Sequence, residues 1–131
     1  MASVARHSDR AEQDGPLKIL VTGGRGYADA EAVSGTLDFY ASLLGDFELI
    51  EGGATGADYL AREWFRLRYN REPTTVEADW NTYGKAAGGI RNQKMLDDHK
   101  PDLVIAFPGG SGTADKTRRA REAGVQVIEP C

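Results

Sequence analysis

From Leu17 onward the chain alternates short apolar runs with stretches of helical periodicity, and this alternation constrains the fold more than any single motif. The runs "KILVT" (18–22), "ELIEG" (48–52), "TTVEA" (74–78), "LVIAF" (103–107) and "VQVIE" (125–129) predict five strands. The first and fourth are nearly continuous in apolar residues, as central strands covered on both faces are; the other three are more mixed and suit outer positions. Strands that alternate with helices through short connections form a parallel sheet with right-handed crossovers. The expected fold class is therefore α/β, a three-layer Rossmann-like domain with a five-stranded parallel sheet in the order 3-2-1-4-5. In such a sheet ligands bind beyond the carboxyl ends of the strands, where the order reverses between the first and fourth strands.

Two helices can be oriented from sequence. Leu60, Trp64 and Leu67, flanked by Ala57 and Ala61, mark the inner face of one, with Arg62, Glu63 and Arg66 outside. In the last helix Ala114, Thr117, Ala120 and Gly124 form a small-residue stripe, which leaves Lys116, Arg118, Arg119 and Arg121 in solvent. Gly124 stands where a helix C-terminus takes a left-handed residue.

The 131 residues allow one domain, expected over 16–131, behind a leader at 1–15 that has neither periodicity nor the apolar core of a signal peptide. No run is long enough to span a membrane. A lone cysteine, Cys131, is consistent with a cytoplasmic setting. The net charge of −4 gives no general attraction to nucleic acid, so any anion binding must be local.

Three of the strands run into glycine-rich turns: "TGGRGY" (22–27), "GGATGAD" (52–58) and "PGGSGT" (108–113). Glycine permits close backbone approach, and a helix N-terminus presents unpaired N–H groups and a positive dipole end, so turns of this kind suit phosphate. The dinucleotide fingerprint lacks its third glycine, and no Gly-Lys-Ser/Thr of a P-loop is present. In "GKAAGGIRNQKML", Arg91 and Asn92 are expected in a first helical turn, where a guanidinium can add to backbone donors on an anion. The phosphate-binding set is thus Gly23, Gly24, Arg25, Gly53, Thr55, Gly56, Arg91, Asn92, Gly109, Gly110, Ser111, Gly112 and Thr113.

Other residues carry two readings each. Asp58 caps the second helix, or it contacts ribose or acts as a catalytic base. Asp79 ends the third strand near the crevice. Trp80 and Tyr83 stack on a base or cover the edge of the core. Lys85 meets phosphate or solvent. His7 lies in the leader and His99 near a helix end; no metal site can be drawn, and no cofactor is expected.

Together, "ILVTGGRGYAD", "LIEGGATGAD", "ADW...GKAAGGIRNQKML" and "DLVIAFPGGSGTADKTRRAREAGVQVIE" resemble the YspA/YpsA-related branch of the SLOG superfamily, whose relatives include the LOG phosphoribohydrolases and the DprA/Smf proteins. The resemblance runs from Lys18 to Glu129. It implies a Rossmann-like fold that binds nucleotides or nucleotide-derived ligands, and pairing as a dimer. In LOG enzymes an Arg-Lys-x-x-Met arginine and a Gly-Gly-x-Gly-Thr-x-x-Glu glutamate support cleavage of a base from ribose phosphate. The first maps onto Arg91, with Asn92 in place of lysine, and the glutamate position is occupied by Lys116. Loss of that carboxylate favours binding or sensing of a nucleotide or NAD-derived phosphoribosyl ligand over N-glycosidic hydrolysis, because Asp115 next to it points elsewhere on the helix. A DNA-binding role, by analogy with DprA/Smf, is disfavoured by the net charge.

Overall fold

The computed structural model describes residues 15–130. The expected leader, Gly15 apart, lies outside the described residues, as do His7 and Cys131. The elements are β1 (Leu17–Thr22), α1 (Ala30–Leu44), β2 (Phe47–Glu51), α2 (Ala57–Tyr69), β3 (Thr74–Thr75), α3 (Trp80–Tyr83), a 3-10 turn (Gly84–Ala86), α4 (Ala87–His99), β4 (Leu103–Ala106), α5 (Ser111–Glu122) and β5 (Gln126–Ile128). All five strands are parallel, in the order β3-β2-β1-β4-β5. The expected α/β architecture is present, with β1 and β4 paired at its centre.

Successive side chains of a strand face opposite ways, which divides the interior into two cores. Ile19 and Val21 of β1 join Val33 and Leu37 of α1 and Ala57, Ala61 and Phe65 of α2 on one face. Leu20 joins Met95 and Leu96 of α4 and Ala120 of α5 on the other. The sheet is therefore the middle of three layers. Because it is parallel, the segments after β1, β2, β3 and β4 all emerge at one edge.

Several details depart from the sequence reading. The third strand is two residues long instead of five, since after the bond from Val76 N to Glu51 O (2.9 Å) the chain turns into α3. In α2 the innermost aromatic is Phe65, four residues after Ala61; Leu67, two residues further round the helix, is 87% exposed. Leu60 and Trp64 pack only partly on the core. In α5, Ala114 is exposed, and the buried face is Lys116, Thr117 and Ala120. Lys116 was expected in solvent, but the four-residue spacing to Ala120 turns it inward. Gly124 does adopt the left-handed conformation (φ +80°) just beyond α5.

Candidate functional site

The segments at the carboxyl edge are bonded to one another. Gly24 N donates to Pro108 O (2.8 Å), Ala57 N donates to Gly24 O (3.2 Å), and the Thr55 hydroxyl donates to Arg25 O (3.0 Å). Several glycines serve this contact. A Cβ on Gly56 (φ +74°) would lie 2.1 Å from Gly24 O, and one on Gly109 would lie 2.3 Å from the Thr113 hydroxyl. No side chain fits either position.

This accounting redistributes the donors that the sequence assigned to phosphate. In the second turn, Gly52 N and Ala54 N donate to Asp58 Oδ2 (3.0 and 3.3 Å) and Gly53 N to Glu51 Oε1 (2.7 Å). The third turn keeps its donors free: the first internal bond at the start of α5 is Ala114 N to Gly110 O (3.0 Å), and Gly110, Ser111, Gly112 and Thr113 have no N–H partner among the described residues. These N–H groups stand at the positive end of a twelve-residue helix.

A crevice of about 700 Å³ opens at this edge. Of the expected set it is lined by Gly23, Gly24, Arg25, Arg91, Asn92, Gly110, Ser111, Gly112 and Thr113, together with Trp80, Lys85, Asp58, Asp115 and Lys116. Gly53, Thr55, Gly56 and Gly109 are not in the lining, and all but Gly56 are exposed. The lining carries four basic side chains, Arg25, Lys85, Arg91 and Lys116, against two acidic ones, Asp58 and Asp115. A second depression, of about 640 Å³, adjoins the crevice at Lys85 and Gly89 and runs along α4 past Lys94, Asp97 and Asp98 to Arg119.

Arg91 does not sit in a first helical turn as expected. The helix begins at Ala87, with Gly88 and Gly89 inside it, so Arg91 and Asn92 belong to its second turn and act through their side chains. Arg91 Nη1 donates to Gly52 O (2.8 Å) and Val76 O (3.3 Å), and Nε donates to Asn92 Oδ1 (3.0 Å). The guanidinium thus ties the ends of β2 and β3 to α4, and its Nη2 has no hydrogen-bond partner among the described residues. Burial lowers its pKa from the ordinary value, opposed by Asp58 and Glu51.

Asn92, 3% exposed, donates through Nδ2 to Asp115 Oδ2 (2.9 Å), which also accepts from Arg119 Nε (2.7 Å). Arg118 Nη2 donates to the other oxygen at 2.8 Å. Burial alone would raise the pKa of this carboxyl, but the three donors outweigh it and hold the group below its usual range. Asp115 is committed to the α4–α5 junction.

Asp58 and Lys116 are different. Asp58 is 3% exposed, and its Oδ1 has no hydrogen-bond partner, while Oδ2 holds the β2 turn. The cap expected of Asp58 is therefore made to the turn upstream; α2 itself starts at Gly56 without a side-chain cap. Lys116, also 3% exposed, makes no hydrogen bond or ion pair with another described residue. Desolvation pushes its pKa down to about 8, with Arg91 acting in the same direction and Asp58, Glu51 and Asp115 against it.

Sequence reasoning overlooked Glu51. It is fully buried, its Oε1 accepts from Arg62 Nη1 (2.8 Å) as well as from Gly53 N, and its Oε2 accepts from the Thr75 hydroxyl. The signal was an acid at the last position of the strand, directly before two glycines. Of the remaining candidates, Asp79 caps α3 by accepting from Thr82 N (3.1 Å), and Trp80 lines the crevice half-exposed. Tyr83 is exposed outside the lining, and His99 ends α4. Among the described residues no three His, Cys, Asp or Glu gather as metal ligands, and no helix is long and apolar enough to cross a membrane.

Comparison with known proteins agrees with the motifs. Residues 17–83 match the family described as "YspA, cpYpsA-related SLOG family". "Gene 61 protein" of Mycobacterium phage D29 is 36% identical over 119 residues, an alignment that spans 85% of this chain and 94% of the phage protein. No solved structure gives a significant match.

Proposed function

The chain belongs to the YspA, cpYpsA-related SLOG family, and from that membership and the crevice we propose that it binds a nucleotide or an NAD-derived phosphoribosyl ligand, with the phosphate at the start of α5. Membership suggests a nucleotide-related ligand, bound or processed. The observation that carries the finer reading is the row of unpartnered N–H groups from Gly110 to Thr113, which opens into a crevice with Arg25, Lys85 and Arg91 on its walls. Backbone donors and a helix dipole hold an anion at fixed points, and the arginines add charge-assisted bonds. The half-exposed Trp80 ring stands at the same crevice, where a base can stack on it.

Calorimetric titration with AMP, GMP, CMP, UMP, ADP-ribose and NAD tests this. Binding of at least one at about 10 μM, the affinity expected for a ligand of roughly 23 heavy atoms at ordinary efficiency, supports it. Absence of binding by all of them at millimolar concentration overturns it.

One observation favours a second reading, N-glycosidic hydrolysis. Although Lys116 stands where LOG enzymes carry glutamate, Asp58 places a buried carboxylate with an unpartnered oxygen on the same crevice wall. A carboxylate so placed can stabilise a sugar cation or activate water. Sustained release of free base from a nucleoside monophosphate, abolished in Asp58→Asn, would establish it over simple binding.

A further inference from the structure

The crevice contains two buried groups with unused hydrogen-bonding capacity and opposite chemistry. Asp58 Oδ1 is an acceptor without a donor. Lys116 Nζ is a donor without an acceptor. Lys116 feels the charge of Asp58, yet the two form no ion pair, and both side chains line the same crevice. Leaving Asp58 Oδ1 without a donor is costly in a buried site, and Lys116 Nζ reaches the crevice without a protein acceptor, so one group entering there can satisfy both.

Few ligand groups can. A phosphate oxygen accepts from Lys116 but is repelled by Asp58. An ammonium reverses the problem. A hydroxyl donates its proton to the carboxylate and accepts from the ammonium through a lone pair, with no charge of its own to repel either. Position narrows the choice further. Lys116 follows Gly112 by four residues on α5, about 6 Å along the helix axis, which places it one turn beyond the N–H groups that would hold a phosphate. In a nucleotide the moiety one such step from the phosphate is the sugar.

We propose that Asp58 and Lys116 together form a sugar-hydroxyl subsite, in which a ribose hydroxyl donates to Asp58 Oδ1 and accepts from Lys116 Nζ, so that the protein selects ribose over a deoxy sugar. This rests on the nucleotide reading above and specifies the class of sugar at that site. Asp58 is held for the task, because its second oxygen is fixed by Gly52 N and Ala54 N. A site built around a hydroxyl rejects the analogue that lacks it far more strongly than an apolar pocket rejects a missing methylene.

The test is calorimetry with AMP, 2′-deoxy-AMP, 3′-deoxy-AMP and ribose 5-phosphate on the full chain, then on Lys116→Met. The expected result is that at least one deoxy analogue binds about 10- to 100-fold more weakly than AMP to the wild type. In Lys116→Met, AMP should fall to the level of that analogue while the analogue itself is unchanged within about twofold, a pattern that a merely structural lysine would not produce. The wild-type comparison needs no variant and stands even where Lys116→Met fails to fold. Equal binding of AMP and both deoxy analogues overturns the subsite and leaves nucleotide binding intact. Absence of binding by all four at millimolar concentration overturns the subsite, and the nucleotide reading falls with it when GMP, CMP, UMP, ADP-ribose and NAD are silent as well.

Discussion

Replacing Lys116 by methionine should stabilise the protein at neutral pH, and the gain should disappear in alkali. The side chain is 3% exposed without a hydrogen-bonding or ion-pair partner, and its pKa is about 8 against an ordinary 10.5. A pKa lower in the folded state means that folding favours the neutral amine. Between pH 8 and 10.5 the unfolded chain binds the extra proton, so stability rises with pH across that window. Below pH 8 both states are protonated, and the full penalty applies. At 1.36 kcal/mol for each pKa unit the penalty is about 3 kcal/mol, an order-of-magnitude figure. Methionine keeps the length and apolar character of the stem without the charge. Urea denaturation of wild type and variant at pH 7 and pH 10.5 measures the difference directly, and subtraction cancels the tyrosines and other groups that titrate in both. The variant should be more stable by about 3 kcal/mol at pH 7 and by less than about 1 kcal/mol at pH 10.5. A destabilised variant at pH 7, or a difference that does not change with pH, would refute the account and imply that Lys116 is paired with Asp58 in the free protein.

Other perturbations address the walls of the crevice. If a ligand hydroxyl accepts from Lys116, binding favours the charged amine, so affinity should weaken as pH rises through about 8, with proton uptake visible in calorimetry across buffers of different ionisation enthalpy. Arg91→Ala should lower nucleotide affinity about 10- to 100-fold through loss of a charge-assisted bond; equal affinity in the titration would remove Arg91 from the ligand's contacts. Gly56→Ala should cost about 2 kcal/mol or more in denaturant unfolding, because its φ is +74° and the new Cβ would meet Gly24 O at 2.1 Å. Self-association, an expectation from the family resemblance, has candidate surface in exposed Phe39, Leu43 and Leu67 on α1 and α2, and light scattering at tens of micromolar should return twice the chain mass.

The order of the strands was legible because apolar runs and parallel crossovers are properties of contiguous sequence, and so was the edge at which Arg91 and the glycines meet. Side-chain orientation was less so. Lys116 reads as a solvated lysine in a basic helix, and its four-residue spacing to Ala120 becomes decisive only once α5 packs against β4 and α4. Leu67 fits a helical stripe by type, yet Phe65 occupies the inner position. The glycines read as phosphate donors from composition, but which N–H groups remain free depends on Asp58 and Glu51 reaching back to the second turn, and such contacts follow from tertiary geometry. Asp115 likewise looks available until Asn92, Arg118 and Arg119 are seen around it.

The bonds that join the turns after β1, β2 and β4 divide the crevice into halves of unequal freedom. On the side of Gly24, Gly56 and Pro108, any change of shape must break contacts shared by three segments at once. Trp80 to Ala86 is held differently, by the Asp79 cap and the start of α4, and most of its side chains are exposed. If the crevice binds a nucleotide as proposed, new base preferences can arise by substitution within that short strip, Lys85 excepted, while the N–H groups at the start of α5 are left untouched. On that reading, exchanging residues 80–86 for those of a relative with Lys85 retained should move selectivity among bases while the anion stays bound, so that the strip behaves as an interchangeable reading head on a fixed mount.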